Sequence, residues 1–128
     1  MKKKVVYSLD KNDERVISLF GNLGMQKNIA KTLMYITQFK ECKSAEIEQG
    51  ADLRQPEVSI AMKELINKGW VKKRQQKTDG KGRPYHIYSA VSELPAIFKN
   101  FQEEKLKEVE SYEKGLFDLK NLINDNKK

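Results

Sequence analysis

The chain has 128 residues, 38% of them hydrophobic and 34% charged, with a formal net charge of +7. That is one domain's worth of chain with enough length to bury a modest core, and no apolar run approaches the ~20 residues that cross a bilayer. Cys42 is the only cysteine, which excludes an intrachain disulfide or a thiolate metal cluster and suits a reducing, cytoplasmic interior. The basic N-terminus, MKKK, is followed by too short an apolar patch for a signal peptide.

Four helices are expected before residue 70. The first runs from about Asp13 to Phe20, with Asn12 as cap and Asp13 and Glu14 in the first turn, where acids suit the helix dipole. The Gly21-Asn22-Leu23-Gly24 turn ends it. The second spans roughly Gln26 to Phe39, with Ile29, Leu33, Ile36 and Phe39 on one apolar face. Ser44 caps a short third helix, SAEIEQ, that stops at Gly50. After Ala51-Asp52-Leu53-Arg54 comes the fourth, QPEVSIAMKELINKG, with Pro56 in its first turn and Gly69 just past its end. Val58, Met62, Leu65 and Ile66 form its core stripe.

A short helix, a tight linker and a second amphipathic helix are the parts of a helix-turn-helix. On a helical wheel Pro56, Ser59, Ile60, Lys63 and Asn67 lie opposite the core stripe. Arg54, Gln55 and Ser59 cluster at the start of the helix, the part that meets base edges: arginine forks to guanine and glutamine pairs with adenine. Glu57 is a counter-signal, because a carboxylate repels phosphate. Ile60 has two readings, contact with a thymine methyl or packing against the third helix or the strands that follow.

The period then turns strand-like, over Trp70–Gln76 and Tyr85–Ala90, around the turn-forming TDGKGRP. From Lys68 to Arg83 seven basic residues oppose the single acid Asp79, a net +6. Lys73, Lys77, Lys81 and Arg83 on such a hairpin can follow a phosphate backbone or enter a minor groove. A solvated edge hairpin, its lysines blocking strand-to-strand association, is the other reading. Tyr85 and Ile87 should face the helices, and His86 and Tyr88 the other side. Residues 1–90 hold 18 Lys and Arg against 10 Asp and Glu, and residues 91–128 hold 7 against 8. A basic front part and a near-neutral tail imply a polyanionic partner for the first and a different task for the second.

The stretches NLGMQKNIAKTLMYI, SAEIEQGADLRQPEVSIAMKELINKGWV and GKGRPYHIY resemble the opening, the helix-turn-helix and the wing of archaeal winged helix-turn-helix transcriptional regulators of the TrmB and MarR-like type. The similarity covers roughly residues 13–90. It implies double-stranded DNA binding by Arg54, Gln55, Ser59 and Lys63 in the major groove, with Arg83 at the wing tip. One departure is that Gln55 precedes Pro56 where such helices often begin with Ser or Thr. TrmB-type proteins often carry a sugar-binding domain after the coil, and this chain is expected to lack one.

Beyond Ser92, which can cap a last helix containing Pro95, the helical period returns. Val109, Tyr112, Leu116, Leu119 and Ile123 recur by threes and fours, with Phe98 and Phe101 upstream. A helix of about 30 residues is roughly 45 Å long, too long to bury that stripe on so small a domain, so a homodimer is expected; folding back on its own domain is the other reading. A two-fold dimer would set two reading helices about 34 Å apart on an inverted repeat.

The expected fold is therefore mainly α with a small β-hairpin, a winged-helix DNA-binding domain over 1–90 and a coiled-coil dimerisation helix over 91–128. The expected function is a homodimeric, sequence-specific DNA-binding transcriptional regulator, most simply a repressor. Two other readings stay open, a winged helix used for protein contacts in a transcription or chromosome complex, and an RNA-binding winged helix. No catalysis, metal, cofactor or membrane contact is expected: His86 is the sole histidine, without a Ser/His/Asp or Cys/His set or a phosphate-cradling loop. Cys42 reads as a small packing residue or, alternatively, a redox sensor.

Overall fold

The computed structural model describes residues 9–77 and 82–126. The chain divides into two compact units, Met1–Leu94 and Pro95–Lys128.

In the first unit, α1 (Lys11–Asn22) begins earlier than its sequence suggests. Asp10, not Asn12, is the cap. Its carboxylate accepts from the Asp13 amide at 2.8 Å while Asp13 accepts from the Asp10 amide at 2.9 Å, a reciprocal pair that leaves Asn12 inside the first turn. Asp13 is buried, and Gln38 of the next helix donates to its second oxygen at 2.8 Å. The helix continues through Gly21 and reverses at Gly24, whose φ of 99° suits glycine.

Helix α2 (Lys27–Gln38) is the centre of the unit, touching α1, α3 (Ser44–Gly50), α4 (Gln55–Asn67) and the second strand. It is therefore buried over more than one face. Ala30, Thr32, Leu33, Met34, Tyr35 and Ile36 are all enclosed, while Ile29 and Phe39, expected on the apolar face, are half-buried. Thr32 is tolerated inside because its hydroxyl donates to the Asn28 carbonyl at 2.8 Å.

Helix α3 is preceded by Lys43 as the capping residue, whose amide donates to Glu46 at 2.8 Å. Ser44 lies inside the helix and bonds Glu48 instead. The turn to α4 is held by buried Ala51 and Leu53 on either side of exposed Asp52, which adopts φ 54°. Gly69 takes φ 79° just past α4 and aims the chain into the hairpin.

Strands β1 (Val71–Gln76) and β2 (Tyr85–Ala90) pair antiparallel in the register Val71↔Ala90 to Gln76↔Tyr85. β1 begins one residue after Trp70, which is buried in the core. Cys42 adds an isolated bridge to Tyr88, exchanging backbone hydrogen bonds of 2.9 and 2.8 Å, so the segment before α3 braces the hairpin. β2 packs on α2 and α3, and β1 on α4.

The second unit is the 32-residue helix α5 (Leu94–Asp125). Val109, Tyr112, Leu116, Leu119 and Ile123 are exposed, as are Leu106, Phe117 and Leu122. Phe98 is exposed too, but Phe101 is buried within the single chain and carries the Lys105 ammonium over its ring at 5.4 Å. Ile97, one helical turn before Phe101, is buried as well.

Candidate nucleic-acid interface

The start of α4 is built so that its exposed residues point outward. Arg54 caps the helix, and its amide donates to Glu57 at 2.8 Å; Asn28 of α2 donates to the other Glu57 oxygen at 3.2 Å. Glu57 is thus held by hydrogen bonds at both oxygens, which gives a structural reason for an acid at this position. Burial of Val58, Ala61, Met62 and Leu65 turns Ser59, Ile60 and Lys63 to the outside. Ile60 is 62% exposed, so most of its side chain is open to the outside.

The hairpin shares this outer surface. Ser59, Ile60, Met62, Lys63, Ile66 and Asn67 of α4, with Lys73 and Tyr88 of the strands, line one open cleft of about 320 Å³. Lys73 and Tyr88 are direct cross-strand partners and so project from one face. The cleft has two cationic side chains and an exposed isoleucine, with Tyr88 half-buried at its wall. Burial pushes the Tyr88 phenol above its usual pKa, so it stays a neutral hydroxyl, able to donate a hydrogen bond.

The opposite hairpin face has another character. Arg74 pairs with Glu41 at 2.9 Å and also bonds Gln76, so one of the seven cations between Lys68 and Arg83 is balanced locally. Ile87 is buried and Tyr85 half-buried, with the Lys43 ammonium 4.5 Å from the Tyr85 ring centroid. Neither tyrosine stands free in the way that stacking on unpaired bases requires.

Of the expected contact residues, Ser59, Ile60, Lys63 and Lys73 are brought together in the cleft. Arg54, Gln55 and Pro56 are exposed at the start of α4 but do not line it, and Lys77 and Arg83 are exposed towards the hairpin tip. Lys81 lies outside the described residues. Two further polar residues join the cleft beyond that set. Asn67 already stands on the outward side of the wheel, and strand alternation sets Tyr88 opposite Tyr85 and Ile87; its pairing with Lys73 and its place beside α4 come from the tertiary fold.

Among the described residues no group of three His, Cys, Asp or Glu side chains could hold a metal ion, and no helix is long and apolar enough to cross a membrane.

No protein-family model matches the chain, and no curated protein is similar to it in sequence. Solved structures do match. A possible transcriptional regulator from Methanosarcina mazei Go1 superposes with a TM-score of 0.64 at 17% identity, over 82% of this chain and 87% of that one. TrmBL2, an archaeal chromatin protein whose structure shows a novel mode of DNA binding, gives 0.58 at 18% identity over 91% of this chain, which spans 43% of that protein. A MarR family regulator from Neisseria meningitidis gives 0.51 at 15% identity, over 89% of each. The likeness is one of fold: this chain has the winged helix-turn-helix architecture of those regulators.

Proposed function

We propose that the protein is a sequence-specific, double-stranded DNA-binding transcriptional regulator of the cytoplasm, without enzymatic activity. It acts as a homodimer on an inverted repeat and represses by occupying a promoter. The observation that carries this reading is the single cleft lined by Ser59, Ile60 and Lys63 of α4 and by Lys73 of the hairpin. A helix face and a basic ribbon opening on one surface can engage the base edges and the backbone of one duplex.

In this reading α4 enters the major groove. Arg54 and Gln55 read a guanine and an adenine, Ser59 donates to a base edge or phosphate, and Ile60 covers a thymine methyl. Lys63 and Lys73 neutralise phosphates beside the groove, and Lys77, Lys81 and Arg83 extend the contact along the backbone. α5 joins two copies, giving the two-fold symmetry that an inverted repeat mirrors.

Selection of bound fragments from genomic DNA should return an inverted-repeat motif; fragments with no common motif would overturn sequence-specific regulation. The wing is tested separately. Lys73→Ala combined with Arg83→Ala should flatten the slope of log affinity against log salt by roughly two, about 0.9 for each phosphate no longer neutralised. An unchanged slope removes the wing from the mechanism.

A further inference from the structure

The exposed stripe on α5 has a pattern that selects between two ways of pairing it. Val109, Leu116 and Ile123 stand seven residues apart, as heptad a positions, and Tyr112 and Leu119 are the matching d positions. The flanking g positions are Glu108, Gly115 and Leu122, and the flanking e positions include Glu113 and Lys120.

In a parallel pair each g residue faces the next e residue of the other helix. Glu108 would then meet the partner's Glu113 along both edges, although Glu108 already has Lys105 at 2.9 Å on its own helix. Gly115 would leave a gap beside the partner's Lys120. In an antiparallel pair e faces e and g faces g. Glu113 then meets the partner's Lys120 twice along one edge, and Leu122 lies over the partner's Gly115 twice along the other.

We propose that α5 pairs antiparallel with the α5 of a second copy, with Leu116 against the partner's Leu119 and Tyr112 against the partner's Ile123. This inference rests on the homodimer reading and specifies its geometry. Three features support it. Neither Glu113 nor Lys120 has an opposite charge three or four positions away on its own helix, so both charges are available across the seam. Glycine is unfavourable inside a helix, yet a β-carbon built at Gly115 meets nothing within 4 Å of it in this chain. That open space fits the Leu122 side chain of a second helix, and it accounts for a leucine at a flanking position that is 62% exposed. Phe117, at an outer position, takes no part.

This register centres the overlap between residues 117 and 118. At 1.5 Å per residue it sets the two Pro95 ends about 70 Å apart and the two Glu103 positions about 44 Å apart; a parallel pair keeps each within ~20 Å of its counterpart.

The test uses the full chain. Sedimentation velocity establishes the association state first. Glu103→Cys in a Cys42→Ala background, carrying a spin label, then reports the distance between copies by double electron–electron resonance. A dimer with labels about 40–50 Å apart supports the proposal. A dimer with any other distance overturns this antiparallel pairing and leaves the homodimer standing. A chain that stays monomeric at ~100 μM, a concentration at which even weak pairing registers, overturns both. Charge variants retaining Cys42 give an independent sign. Glu113→Lys should weaken dimerisation roughly tenfold, and adding Lys120→Glu should restore it. Stronger dimerisation of Glu113→Lys alone is the parallel outcome, because the introduced ammonium would then face the partner's Glu108, and it would overturn the proposal.

Discussion

Cys42 is enclosed at 2% exposure, with its thiol near the Phe39 carbonyl. Burial, followed by the nearby Glu46 carboxylate, pushes its pKa from 9.0 up to about 12. The thiol is therefore a packing group at neutral pH and not a ready nucleophile. Native protein at pH 8 should resist iodoacetamide for hours and react at once in denaturant; rapid native alkylation would contradict the burial. Because the folded state holds this proton more tightly than the unfolded chain, its contribution to stability is complete below pH 9 and disappears as the pH climbs towards 12. Cys42→Ala should remove that part of the alkaline loss in denaturant titrations. Gly69 poses a different residue-scale question. A β-carbon there meets no atom within 4 Å, so the cost of Gly69→Ala lies in forcing alanine to φ 79°, about 1 kcal/mol. Urea unfolding measures it.

At the scale of elements, α4 serves two masters with one sequence. Its inner residues Val58, Ala61, Met62 and Leu65 complete the core, and its outer residues are free of that duty. Ile60→Ala should therefore change stability by no more than about 0.5 kcal/mol while weakening specific DNA affinity several-fold. A large fall in melting temperature would show that Ile60 packs in the fold. The outward face of α4 is legible in the sequence because a single helix face obeys a fixed period. α2 is less so, since four neighbours bury it on several sides and a period finds only one. Caps are also obscured, because Asp10 and Asn12 are equally good capping residues by type. The reciprocal bond with Asp13, itself anchored by Gln38 from α2, decides between them. Asp10→Ala should cost about 1 kcal/mol by thermal unfolding.

For the whole molecule, the charge distribution and the exposed apolar stripe fall on different units. The proposed reading surface lies in the first, and the stripe of exposed apolar residues lies in the second. Eight large apolar side chains from Leu106 to Ile123 stand open on α5. A contiguous apolar strip of that length is a mark of an association surface. Truncation after Ala90 should accordingly leave a folded monomer by sedimentation, with DNA affinity reduced because two linked half-sites become one. A truncated dimer would move the interface to the first unit.

The order of elements, the turn glycines, the basic hairpin and the heptad stripe can all be read from the chain alone, because each depends on neighbours within a few residues. Local periods and backbone preferences carry that information. That α4 and the hairpin open onto one cleft, that Glu41 neutralises Arg74, that Tyr88 lines the cleft and that Phe101 is buried were decided only by tertiary structure. Those facts join residues such as Ser59 and Tyr88, or Glu41 and Arg74, that lie about thirty positions apart in the chain. No local rule fixes which side chains meet over such separations; only packing of the whole unit does.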